Sequence, residues 1–345
     1  MFQIPVAKLN GFFAAVAEQE ELCLPVDNVA GQAEFKKWEK GDKLSTALNT
    51  VRSAKDFFFP QTENLMEFKM EGKNIDVVDA HADVKDFAVF GVRGCDAAAF
   101  HVLDTVFLVD PIDTYYKNRR EHGVMITLAC TEPAPTCFCN LFGTDATNPG
   151  GDITSWIVDE MMYLEAVTDK GKNFLEKYKA CFEDAAQDVN AKVDAQKSEV
   201  SKKLEALPFA HLKMDKFKGE NLMELFNDPA WEKLSKACLG CGTCTFVCPT
   251  CQCYDIRDFD TGHGIKRFRC WDSCMYSDFT QMAHGNPRTT QLERFRQRFM
   301  HKLVYYPMAH KGLFSCVGCG RCLESCPVNM NAVKVLKAIS EADDI

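Results

Sequence analysis

Two stretches of cysteine carry the densest chemistry in this 345-residue chain. The first reads Ala237-Cys-Leu-Gly-Cys-Gly-Thr-Cys-Thr-Phe-Val-Cys-Pro249 and the second Ser315-Cys-Val-Gly-Cys-Gly-Arg-Cys-Leu-Glu-Ser-Cys-Pro327. Each is a complete C-x2-C-x2-C-x3-C-P run, a spacing that lets three thiolates wrap one cubane while the fourth reaches a second cluster. Two copies therefore predict two [4Fe–4S] clusters with crossed ligation. One set is Cys238, Cys241, Cys244 and Cys326; the other is Cys316, Cys319, Cys322 and Cys248. The glycines at 240, 242, 318 and 320 suit loops that bend closely around inorganic sulfide, where a Cβ would crowd it.

Other uses of cysteine fit less well. A disulfide framework belongs to small secreted domains, and the N-terminal apolar stretch around Phe12 lacks the basic flank of an export signal. Zinc ribbons use C-x2-C pairs, without a third cysteine at the same interval followed by C-P. A sirohaem pattern of C-x5-C with a later C-x3-C is contained within the runs as a subset. The chain has 18 cysteines and a net charge of −9, which points to metal in a reducing compartment and away from nucleic acid, whose phosphates need a basic face. No apolar run approaches the length that spans a bilayer. No G-x-G-x-x-G follows a strand and no G-x-x-x-x-G-K-[ST] occurs, so nothing here cradles a dinucleotide or triphosphate.

The elements that position these cysteines read as an α+β chain. Residues 1–167 alternate short apolar runs with helical patches, a mixed α/β pattern. Strands or strand ends are predicted at 22–26, the turn 57–60, 65–70, 87–92 and 123–129, with a hairpin or a pair of short strands at 156–166. Asp96 is placed to cap a helix over 97–103. Residues 168–215 form a charged helical connection. Ala185, Val189, Val193, Val200 and Leu204 recur on one stripe there, which predicts packing back onto the chain's own domain. Residues 216–345 then form a mostly α-helical dicluster ferredoxin domain, because 67 residues separate Cys248 from Cys316 and residues 289–306 and 333–339 carry helical periods.

The chain resembles a family of iron–sulfur subunits shared by anaerobic sulfite reductases and cytoplasmic sulfhydrogenases, in the latter the beta subunit. The resemblance rests on Phe57-Phe-Phe-Pro60, Phe90-Gly-Val-Arg-Gly-Cys-Asp96, Cys137-Phe-Cys-Asn140, Cys248-Pro-Thr-Cys-Gln-Cys-Tyr254 and Trp271-Asp-Ser-Cys274, and it covers most of the chain. It implies a subunit that carries electrons between a flavin subunit handling NAD(P)H and a separate catalytic subunit.

A third [4Fe–4S] cluster is expected on Cys95, Cys130, Cys137 and Cys139. If the runs 87–92 and 123–129 are neighbouring parallel strands, Cys95 and Cys130 share one carboxyl edge, where α/β sheets place their sites. The loop through Pro133 and Pro135 then returns Cys137 and Cys139 to that edge, and the family resemblance covers all four. Cys251 and Cys253 are read as lining the wall of the second cluster, with a further cluster on Cys251, Cys253, Cys270 and Cys274 as the alternative. Cys23, Cys181 and Cys270, and the histidines at 263, 284, 301 and 310, are read as structural or surface residues. The arginines between the runs are a solvated face or, alternatively, a docking face or a field that raises cluster potential.

The expected function is a non-catalytic, electron-carrying subunit of a hetero-oligomeric, cytoplasmic, anaerobic oxidoreductase. It would take single electrons from a flavin or [2Fe–2S] partner that oxidises NAD(P)H and pass them to a terminal subunit. By resemblance that subunit is a sulfite reductase or a nickel–iron hydrogenase. Alternatives are an electron-delivery module of a heterodisulfide-reductase-like bifurcating complex and an iron–sulfur redox sensor. The sensor is disfavoured by the acidic charge and the missing DNA-binding motif.

Overall fold

A computed structural model describes residues 1–47, 49–79, 84–186 and 189–340. Its strands are β1 (Phe2–Pro5), β2 (Glu21–Asp27), β3 (Ala33–Lys37), β4 (Thr62–Glu71), β5 (Asn74–Asp79), β6 (Phe87–Val92), β7 (Gly123–Leu128), β8 (Ile153–Val158), β9 (Met161–Ala166), β10 (Glu183–Asp184), β11 (Tyr254–Asp260) and β12 (Gly264–Trp271). They form an eight-stranded sheet, β10-β1-β9-β8-β7-β6-β2-β3, and a four-stranded sheet, β11-β12-β4-β5.

The parallel centre of the large sheet is β2, β6, β7 and β8. Every residue of β6 and β7 is buried, as parallel strands covered on both faces must be. Alternate side chains divide between two cores. Phe90 and Ile126 pack with Phe12, Phe13 and Phe174 from the helices Leu9–Ala17 and Asp169–Lys177. Val89 and Met125 face Phe100 and Leu103 of the helix Gly94–Phe107. The hairpin expected at 156–166 is β8–β9, antiparallel from Ile153↔Ala166 to Val158↔Met161.

The C-terminal part is built on helices. Trp231, Phe295, Phe299, Leu303, Val333, Leu336 and Ile339 form its core. The helix Gln291–Met300 starts in a capping box between Thr290 and Glu293 and continues through a π turn, His301–Tyr305, into Tyr306–Ala309. Among the described residues, no helix is long and apolar enough to cross a membrane.

Four local expectations change. Residues 57–60 are not extended: Lys55–Phe58 is a short helix, because Phe58 and Phe59 are both drawn into the core with Phe87, Phe100 and Phe107. Asp96 is no cap. The helix begins at Gly94 after Arg93, and the Asp96 carboxylate is buried against Arg321. The charged connection is not one helix, since β10 pairs with β1 between Asp169–Lys177 and Val189–Glu205. Between the cysteine runs lies the hairpin β11–β12, which adds to β4 from the N-terminal half. Arg269 of β12 closes that junction, donating to Glu63 from Nε at 2.8 Å and to Asp113 from Nη1.

Candidate metal centres

Cys248, Cys316, Cys319 and Cys322 line one cavity, with Cys244, Arg298 and Lys302 on its wall. The loop that delivers the last three turns at Gly318, whose φ is +61° and where a Cβ would stand 2.3 Å from the Phe138 carbonyl oxygen. The Phe138 N–H donates to the Gly318 carbonyl at 3.0 Å. Burial pushes the Cys316 thiol up to about 12, opposed by Lys302, and raises Cys319 further despite Arg321. Thiols this deeply placed become thiolates only against strong positive charge, which bound iron supplies.

Cys238, Cys244 and Cys326 each pack, partly buried, against the helical core. Cys238 accepts from the Gly240 N–H at 3.4 Å and Cys326 from the Met330 N–H at 3.1 Å. Such donors favour a negatively charged sulfur. Cys241 is the exposed member. The Thr243 hydroxyl at 3.3 Å and the Thr243 N–H lower its pKa, while burial raises Cys244 to about 11.

A second cavity is lined by Cys95, Cys130, Cys137 and Cys139, together with Leu204, Gly318 and Cys319. Its construction follows from the sheet. β6 and β7 are parallel neighbours, Phe87↔Gly123 through Val92↔Thr127, so Cys95 in the first turn after β6 and Cys130 just beyond β7 leave the same edge. The Cys95 sulfur stands where a helix N-terminus favours negative charge. Burial raises all four thiols, to about 11 at Cys137 and about 12 at Cys139. Leu204 of Val189–Glu205 lines the cavity and packs with Val200, Ala99 and Val317 in one cluster, so the stripe does pack back on the chain.

Among the described residues, no three His, Cys, Asp or Glu side chains come as close as a single metal ion requires. The thiols instead line cavities, an arrangement that suits a cubane, whose four irons hold their ligands further apart than one tetrahedral ion does. A family model described as a 4Fe-4S dicluster domain matches residues 237–330. Over the longer chain, the sulfhydrogenase 2 subunit beta of Pyrococcus furiosus is 33% identical across 295 residues, 85% of this chain and 84% of that protein. The chain belongs to this iron–sulfur subunit family. It is an iron–sulfur electron-transfer subunit carrying [4Fe–4S] clusters.

Membership in the family frames the remaining polar groups. Lys55 is buried, 3.7 Å above the Trp271 ring, and donates to the Cys248 and Cys251 carbonyls at 3.1 and 2.8 Å. Burial lowers its pKa to about 8. The Cys251 thiol interacts with Cys248, and Cys253 with Cys274. Cys270 lies on β12, its thiol raised mainly by partial burial and influenced by Arg257 and Asp255. His301 packs edge-on against Tyr306, and burial drops its pKa to about 4. Arg267 pairs with Asp258 on the surface, whereas Arg298 is buried among sulfurs. The sequence carries a signal for that difference. Arg298 and Lys302 fall at the three-residue offset from Phe295 and Phe299, within the buried stripe of their helix.

Proposed function

We propose that this chain is the electron-relay subunit of a hetero-oligomeric, cytoplasmic oxidoreductase. It would stand between an NAD(P)H-linked flavin or [2Fe–2S] partner and a terminal reductase or hydrogenase subunit. The observation that carries the reading is the placement of cysteine side chains from separate loops in two adjoining cavities and one surface-facing group. In this reading Cys248, Cys316, Cys319 and Cys322 hold one [4Fe–4S] cluster, Cys238, Cys241, Cys244 and Cys326 a second, and Cys95, Cys130, Cys137 and Cys139 a third. When bound, such clusters accept and release single electrons.

The protein's own part is to hold and shield. Phe138, Phe299 and Leu303 wall the first cavity against water. Leu204 does the same for the cavity of Cys95. Gly318 and Cys319 belong to both linings, so the two sites are separated by the thickness of one loop. Cys241 brings the remaining group to the surface, where a partner can reach it.

Anaerobic purification tests the reading. About twelve irons per chain are expected, at four per cubane, with no reduction of a viologen dye by NADH or NADPH unless a flavin subunit is added. An iron content near zero, or dye reduction by the chain alone, would overturn it.

A further inference from the structure

Arg298 lies in the last turn of the helix Gln291–Met300 and Lys302 in the π turn that follows, a distortion often found at functional positions. Both are buried, 4% and 8% exposed, and both line the cavity of Cys248, Cys316, Cys319 and Cys322. Among the described residues, no ion pair joins either cation to a carboxylate. Lys302 Nζ donates to Cys248 Sγ at 3.4 Å, Thr250 Oγ1 at 2.8 Å and the Ser315 carbonyl at 3.1 Å. Arg298 is less satisfied: its Nε is buried without a partner. The charges it faces are sulfurs, foremost Cys244 and then Cys322.

Those two cysteines come from different runs. A cation removed from water and left without a counter-charge is strongly destabilising. Here the counter-charge available is the anionic complex that thiolates make with iron, and one guanidinium faces a cysteine of each set in the cavity they share. Lys302 differs in reach: it touches Cys248 Sγ and faces Cys251 and Cys316, and of these the two assigned to a cluster, Cys248 and Cys316, belong to a single set.

We propose that Arg298 is a positioning residue that links the two C-terminal clusters, raising both reduction potentials together, while Lys302 raises only that of the cluster on Cys248, Cys316, Cys319 and Cys322. The inference rests on the cluster assignment proposed above. Reduction adds one electron and one negative charge to a cluster. It requires no proton, because the guanidinium is already cationic at every accessible pH. Positive charge and donors at the sulfurs favour the reduced form.

The test is a mediated redox titration of the anaerobically purified chain, followed by electron paramagnetic resonance, with dithionite as reductant. In Arg298→Met, with iron retained, the reduced-to-oxidised ratio at fixed potential should fall about tenfold at both clusters, equivalent to about 59 mV for a one-electron couple. The shift should be the same at pH 6.5 and pH 8.5, and Arg298→Lys should restore most of it. Lys302→Met should move one cluster only. Full iron with unmoved potentials overturns the inference and leaves the cluster assignment standing. If Arg298→Met sheds iron, retention in Arg298→Lys supports a requirement for the charge, and equal loss in both variants assigns Arg298 to packing and overturns it. A wild-type chain without iron at these cysteines overturns the assignment and the inference together.

Discussion

Arg321 and Asp96 form an ion pair in which both side chains are 1% exposed. Arg321 also donates from Nε to the Thr50 carbonyl at 2.8 Å, and from Nη2 to Thr50 Oγ1 at 3.2 Å and Asp96 Oδ2 at 2.8 Å. The pair fastens the loop of Cys319 and Cys322 to the helix turn of Cys95, so it sets the relation between two cysteine-lined cavities. Removing one partner leaves an uncompensated buried charge, which costs about 3–5 kcal/mol. Arg321→Met should therefore lower unfolding free energy by about that amount in anaerobic denaturant titrations. Asp96→Leu with Arg321→Met should recover most of the loss, because an apolar replacement of both partners removes the orphaned charge. A double variant no better than the single one would refute this account. The same pair shows where sequence reading stops. Asp96 carries the composition of a helix cap, and only the fold brings up Arg321, 225 residues away, to claim its carboxylate.

The helix Val189–Glu205 shows what periodicity can and cannot supply. Its stripe predicts packing back on the chain, and Val189 and Val193 do pack with Trp156 and Tyr163, yet nothing in the period says that Leu204 lines a cysteine-bearing cavity. The burial of β6 and β7 was readable, because two unbroken apolar runs suit strands covered on both faces, and their parallel pairing meets the condition on which the shared edge of Cys95 and Cys130 was expected. The hairpin β11–β12 was not. Its strands are rich in Arg, Asp and Lys, and its stabilising partner β4 lies about two hundred residues earlier in the chain. The sealing role is testable. Leu204→Asp should admit water to the cavity of Cys95, Cys130, Cys137 and Cys139 and cost about four of about twelve irons, one cubane's worth. Lys202→Asp, on the exposed flank of the same helix, should keep all of them. Equal iron in the Leu204 and Lys202 variants would show that the helix is only a scaffold.

Across the molecule the cysteine groups stand in series. The exposed Cys241 marks one end, the cavity walled by Arg298 and Lys302 the middle, and the cavity at the carboxyl edge of β6 and β7 the other end. The middle and far cavities share Gly318 and Cys319, and Cys244 joins the near group to the middle lining. A series has a property that a set of independent sites lacks, because loss of an end member isolates one partner without impairing the others. Cys137→Ala with Cys139→Ala should lower iron from about twelve to about eight per chain, at four per cubane. The two remaining clusters should still be reduced by dithionite, with unchanged spectra. In the assembled complex, stopped-flow mixing with NADH or NADPH should show flavin reduction at the wild-type rate and transfer to the terminal subunit reduced to a small fraction of it, whichever partner docks at the far end. Both half-reactions running at wild-type rates on about eight irons, two cubanes' worth, would mean that the far cavity lies off the route, and that electrons enter and leave through the surface at Cys241.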